Sequence, residues 1–315
     1  MSTLSFIRQL AVFCCCVVLL NLVVAFLARN SIPRQVLRRA AMTPPAADIF
    51  LGNSLISDGI NEAVIKSIAR SAVPVNLGLH STTAVEHLLL FRASTARHHA
   101  GRVFYGFFND QLTRVDSFYD DRLVVNRAFA YFTEPGFAVN LYGIKNPWIR
   151  MQFRAMRFFP MVMERLQVWA KVERLRRQIG SIGFTSEADN QYGRASDFSR
   201  LGPKSVNDFA RDRAADVLNE ANVSPAIYEL FRSTKQQGAT TTLILMPMPT
   251  AHRRDFYQSS DWLAYYDRLG KLVNKSGVQI IDASDWVADD GFKDSIHLSP
   301  KGAEIFSARL ARGYL

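Results

Sequence analysis

Cysteine is nearly absent from this sequence. Cys14, Cys15 and Cys16 are the only three in 315 residues, and they are consecutive. Neighbouring cysteines cannot build a disulfide framework, and no zinc-type spacing exists. A chain otherwise free of cysteine suits an oxidising compartment. Internal repeats are also lacking. Charged residues are few, 21% against 48% hydrophobic, which excludes a disordered, collagen-like or low-complexity chain. Acidic residues are missing from positions 1–40, which carry five arginines. The net charge of +10 is therefore unevenly spread. Stretch 145–177 holds nine basic residues against Glu164 and Glu173, and the rest of the chain beyond residue 40 sums to −2. That is not a uniformly basic nucleic-acid binder, and no nucleic-acid partner is expected.

What is present begins with a membrane signal. Nineteen residues from Leu10 to Ala28 carry no charge, and Asn21 is the only strongly polar side chain among them. At a rise of about 1.5 Å each they come close to crossing a ~30 Å hydrocarbon layer. The competing reading is a cleaved signal peptide, whose apolar core is usually shorter. Here Arg29 follows Ala28 directly, and bulky Phe13 before Cys14 argues against a lipoprotein. Residues 1–30 are therefore read as an uncleaved anchor and 31–47 as a juxtamembrane linker with Pro33, Pro44 and Pro45. Arginines after the span would hold the following chain in the cytoplasm by the positive-inside rule. A short N-terminal tail, however, commonly stays inside while the next domain is exported.

Beyond the linker, short apolar runs alternate with helical patterns. Strands are expected at 48–51, 74–77, 103–108, 240–246 and 278–281. Helices are expected at 60–70, 82–97, 145–179, 206–237, 260–275 and 299–312, with a loop at 181–205. This alternation indicates an α/β domain over 48–315 with a parallel sheet and a helical insertion at about 113–235. In the 145–177 stretch, aromatics and methionines interleave with arginines. Such a helix usually packs its apolar stripe on the core and leaves the arginines wet. It could instead lie on anionic lipid or bind an acidic polymer.

Parallel sheets collect reactive groups at the carboxyl ends of their strands. Gly52-Asn53-Ser54 follows the first strand, and a serine on a strand-to-helix turn is exposed. Asn109-Asp110 follows the third, where an asparagine amide can donate to a developing oxyanion. Asp294-Ser-Ile-His297 follows the fifth: His297 suits a general base, and Asp294 would orient its ring. Each piece alone is commonplace, since serine after glycine is usually a turn or helix cap. Their placement after three different strands, in one consistent order, is what joins them. His252 in "MPMPTAHRR" and His80 near the second strand are weaker candidates for touching substrate. Both also suit ordinary loop or packing roles. His87, His98 and His99 show no metal-ligand spacing, and neither a metal nor a cofactor is expected.

These blocks resemble the SGNH, or GDSL-like, hydrolase family. "DIFLGNSLISDG" is similar to its nucleophile block, with Ser54 as nucleophile and Asn53 where many members have Asp. "PVNLGLHSTT" resembles the N-x-x-x-x-G-D-T turn. Ser81 stands at the oxyanion glycine, with Gly78 nearby. "VFYGFFNDQ" resembles the G-x-N-D block, with Asn109 as oxyanion donor and the glycine displaced to Gly106. "DSIHLSPKGAEIFSARLA" is the closest match and carries Asp294 and His297. The resemblance covers about 48–112 and 240–315. It implies a three-layer flavodoxin-like fold and a Ser54–His297–Asp294 triad, with oxyanion donors from Ser54, Ser81 and Asn109. It further implies an esterase or O-acyltransferase acting on acyl, chiefly acetyl, esters of envelope or exported polysaccharide. The domain would then be periplasmic and the anchor single-pass in the inner membrane, with envelope-polysaccharide machinery among its partners. The departures at positions 53, 81 and 106 also suit a non-catalytic binding or assembly protein of the same fold. A lipid esterase is a third reading.

Overall fold

A computed structural model describes residues 3–109, 111–113, 133–165, 168–169, 171–172, 176 and 223–315. The expected loop at 181–205 and most of the helix expected at 206–237 lie outside these residues.

The chain opens with α1 (Thr3–Ala28), a helix long and apolar enough to cross a membrane. A short corner leads into α2 (Ile32–Ala41), so part of the expected linker is helical. Pro33 does not oppose this: in the first turn its missing N–H would have no intrahelical partner anyway. Then follow β1 (Asp48–Leu51), α3 (Ser54–Gly59), α4 (Glu62–Ile68), β2 (Pro74–Asn76), α5 (Ala84–Ser94) and β3 (Arg102–Phe107). The insertion supplies α6 (Pro135–Leu141), α7 (Pro147–Ala155) and α8 (Pro160–Met163). The chain closes with α9 (Pro225–Gln236), β4 (Thr240–Leu245), α10 (Ser260–Asn274), β5 (Gln279–Asp282) and α11 (Pro300–Tyr314). A short turn at Thr250–His252 runs into a π-helical Arg253–Tyr257 between β4 and α10.

The single long helix expected at 145–179 is broken. Pro147 and Pro160 each begin a new helix, because proline cannot donate the backbone bond that would continue the preceding one. The helix expected at 60–70 is α4, and α3 is a further short helix ahead of it. Asn53 caps α3 by accepting from Leu55 N at 3.0 Å, and Asn61 caps α4 by accepting from Val64 N at 3.2 Å.

All five strands are parallel, in the order β2-β1-β3-β4-β5. β1 is buried at every position, as a strand covered on both faces must be. Parallel neighbours need crossover connections, and helices supply them here. α11 packs on α3 and α4, while α5 packs on α2 and α9. The chain runs outward from β1 to β2, then returns past β1 to β3. The crevice outside the carboxyl ends of β1 and β3 is therefore the switch point, where open α/β sheets place their ligands.

Candidate active site

The loop after β1 is shaped by close packing. Gly52 has φ +153°, and a side chain there would sit 2.7 Å from Ile56 and 3.0 Å from the Gly106 carbonyl. Gly106 matters for the same reason: a Cβ would lie 2.4 Å from Ile56 and 2.9 Å from Met246 Sδ. The glycine displaced within the third block thus lets α3 settle against β3. With α3 starting at Ser54 itself, the hydroxyl stands at the helix N-terminus, half-buried at the sheet edge.

Three residues form one hydrogen-bonded chain. Ser54 Oγ lies 2.8 Å from His297 Nε2. His297 Nδ1 lies 2.9 and 2.8 Å from the two oxygens of Asp294. With Nδ1–H given to the carboxylate, Nε2 is left to accept the serine proton. Asp294 Oδ1 also accepts the backbone N–H groups of Ile296 at 3.0 Å and His297 at 2.8 Å. Burial opposes its charge. The bonds from the His297 ring and from these two amides outweigh that, and hold the carboxyl at about 2. Asp294 therefore stays ionised at neutral pH.

Of the remaining candidates, His80 touches this chain directly, and Asn109 and Ser81 stand in the loops after β3 and β2. Asn109 follows β3 in a left-handed conformation, φ +47°, which non-glycine residues seldom adopt. Its neighbour Asp110 lies outside the described residues. His252 Nε2 stands 3.0 Å from Asn109 Oδ1. Burial lowers the His252 pKa to about 4, with Asp255 pulling weakly the other way, so the ring is neutral. Its Nε2–H donates to Asn109, while Nδ1 finds no partner. The rings of Phe256 and Tyr257, 5.5 and 5.0 Å away, hold the imidazole edge-on. Because the Asn109 oxygen is taken, its Nδ2–H₂ is the end free to donate elsewhere.

Ser81 is exposed in the loop after β2 and also left-handed, φ +56°. Beneath it Thr82 Oγ1, His87 and the Tyr105 hydroxyl form a buried chain with 2.9 Å links. His80 Nε2 lies 2.8 Å from Asp58 Oδ1, and its ring stacks on that of His297 at 6.2 Å. His98 and His99 are exposed.

Asp58, Lys293 and Asn76 are members of the site that the sequence reading did not single out. Lys293 Nζ donates to Asp58 Oδ2 at 2.8 Å, and its backbone N–H bonds the His297 carbonyl at 2.9 Å. Burial opposes the Asp58 charge, but its bonds from His80 and Lys293 prevail and lower its pKa. Asn76 Nδ2 reaches the carbonyls of Ile56, Ser57 and Ile60 at 3.1, 3.3 and 3.2 Å, and its oxygen accepts from Gly78 N at 2.9 Å. It thereby ties the second block to α3. The signal for Asn76 was its place at the head of that block. Nothing in local spacing links Asp58 with Lys293.

No protein-family model and no curated protein matches the chain. Among solved structures, a Streptococcus pneumonia protein provisionally described as a platelet activating factor superposes with a TM-score of 0.35 at 10% identity, over 99% of both chains. A likeness that slight carries no weight for fold or activity.

Proposed function

We propose that this chain is a membrane-tethered serine esterase or O-acyltransferase of the SGNH (GDSL-like) kind. The proposed substrates are acyl, chiefly acetyl, esters of envelope or exported polysaccharide. The single observation that carries the chemistry is the chain of 2.8 Å contacts from Ser54 Oγ through His297 to Asp294. Strand order 2-1-3-4-5, the flavodoxin-like doubly wound order, supports the finer fold assignment. The glycan substrate and the extracytoplasmic placement rest on the sequence resemblance and on α1.

In this mechanism Ser54 Oγ attacks the ester carbonyl carbon while His297 Nε2 takes its proton. The carbonyl π electrons move onto oxygen. Asn109 Nδ2 and the backbone N–H groups of Ser54 and Ser81 receive that oxyanion. Asp294 stabilises the imidazolium without taking its proton. The tetrahedral centre collapses, the C–O bond to the leaving alcohol breaks, and His297 returns the proton to that alcohol. Water or a sugar hydroxyl then attacks the acyl-serine by the same route in reverse. Hydrolysis and transfer differ only in that second nucleophile.

The test uses full-length protein in detergent. A fluorophosphonate should label Ser54, and acetylated sugars should lose acetate. Adding an unacetylated glycan should divert acetate to it if the enzyme is a transferase. Absence of both labelling and turnover would favour the non-catalytic assembly protein.

A further inference from the structure

The insertion buries only part of its apolar stripe, with Ile149, Met156 and Val162 half-buried against the core. Phe153 packs on the core, buried, with its ring 6.1 Å from that of Tyr142. Trp148, Met151, Phe158, Phe159, Trp169 and Val172 point outward, with 42% to 65% of their surface exposed. The same segment is fastened to α1 and its corner. Met161 N–H donates to Asn21 Oδ1 at 3.2 Å, Lys171 Nζ donates to the Leu27 carbonyl at 2.5 Å, and Arg34 of α2 grips Glu164 with two bonds of 2.6 and 2.8 Å. Glu164 is only 2% exposed, so its half of this clamp is buried while Arg34 stays partly in water. The corner is itself pinned: Ser31 N–H bonds the Ala28 carbonyl at 2.8 Å, and Arg38 Nη1 bonds the Arg29 carbonyl at 2.6 Å.

We infer that residues 147–165, with Trp169 and Val172, form a second membrane contact, sunk beside α1 into the leaflet on the domain side. The inference rests on the proposed reading of α1 as a spanning helix. Asn21 lies seven residues before Ala28. At about 1.5 Å per residue the Met161 amide is then roughly 10 Å below the end of α1, against ~15 Å for half a hydrocarbon core. A segment bonded to α1 at that depth cannot stay in water once α1 spans. The chemistry of the outward face agrees. Tryptophans suit the interface, and phenylalanines and a valine suit acyl chains. Lys145 and Arg154 lie exposed on or beside the segment, placed for anionic headgroups. Arg150 is spent within the protein, on the Ile144 carbonyl at 2.9 Å and Asn140 Oδ1 at 2.7 Å. Two contacts hold a domain in one orientation, where a lone tether would let it swing.

The test compares full-length protein with a W148F/W169F variant, both reconstituted into phosphatidylcholine vesicles containing phosphatidylglycerol. Both changes are conservative and at exposed positions, and equal melting temperatures verify the fold. Lipids brominated along their acyl chains quench tryptophans that touch them. Trp262 and Trp286 remain as protein-facing references. The expected result is strong quenching in the natural chain, with most of it lost in the variant. Alkaline extraction separates the two ideas. Protein that resists extraction but shows equal or no quenching in both forms keeps the anchor and overturns the second contact. The face would then belong to an acidic polymer or a protein partner. Protein released by alkali removes the spanning reading itself.

Discussion

The two edges of the sheet each hold a carboxylate, buried at Asp48 and half-buried at Asp294, and they use it differently. At the amino edge, Asp48 accepts Val73 N–H at 3.0 Å and Arg102 Nε at 2.7 Å. Arg102 reaches on to the Tyr314 carbonyl at 3.1 Å, so the pair locks the closing helix against β1 and β3. At the carboxyl edge, Asp294 accepts two backbone amides in a similar manner, but its side-chain partner is histidine. Arginine keeps its charge at any pH a protein meets, so the Asp48 pair can only hold. Histidine can gain and lose a proton, and its second nitrogen is free to meet Ser54. A hydrogen-bonded carboxylate is thus a rivet at one edge and, in the proposed mechanism, part of a proton route at the other.

Exchanging the roles by mutation should show this directly. The largest effect is expected from Ser54→Ala. Fluorophosphonate labelling should vanish and ester cleavage should fall about 10⁴-fold or more, with the melting temperature hardly moved. A variant that keeps full turnover would remove the carboxyl edge from the chemistry. Next is Asn109→Ala, where loss of one oxyanion donor should reduce kcat by about 10²–10³ with little change in KM. A drop confined to KM would instead make Asn109 a ground-state binding group.

His252 is expected to act on stability through pH. Its pKa is about 4 in the fold against an ordinary 6.5, so the unfolded chain binds the proton more readily. Stability should rise from pH 4 to 6.5 and level off above, by up to about 3 kcal/mol from this group. His252→Gln can still donate to Asn109 but does not titrate. Denaturant melts across that window should flatten by this amount. An unchanged pH slope would mean the ring is less buried than described. Asp294 works in a lower window: its contribution holds above the ordinary carboxylate range and fades as pH falls toward 2. The smallest effect is assigned to Asp48→Ala, about 2 kcal/mol of stability because Arg102 is partly in water, with labelling of Ser54 intact. Lost labelling in a folded Asp48 variant would break the contrast between the edges.

Much of the framework could be read along the chain. The apolar runs at Asp48–Leu51 and Thr240–Leu245 and the charge-free stretch before Arg29 are local patterns, and local physics suffices to interpret them. Ser54 and His297, singled out because reactive groups gather after parallel strands, lie within hydrogen-bond reach of each other. His252 and His80 were harder. Each was a weak candidate for touching substrate, with an ordinary loop or packing role as the alternative, and in the fold one bonds Asn109 and the other Asp58. Those partners lie 143 and 22 residues away.

The amino-acid order by itself determined the alternation of strands and helices, the apolar helix at the start and the residue types available for chemistry, since these depend on neighbours within a few turns. Only the tertiary structure decided which nitrogen of His297 meets Ser54, which end of the Asn109 amide is left free, and that Met161 docks on Asn21. Such choices are made between groups far apart in sequence. Packing brings them within hydrogen-bond reach, and hydrogen bonds act only over about 3 Å.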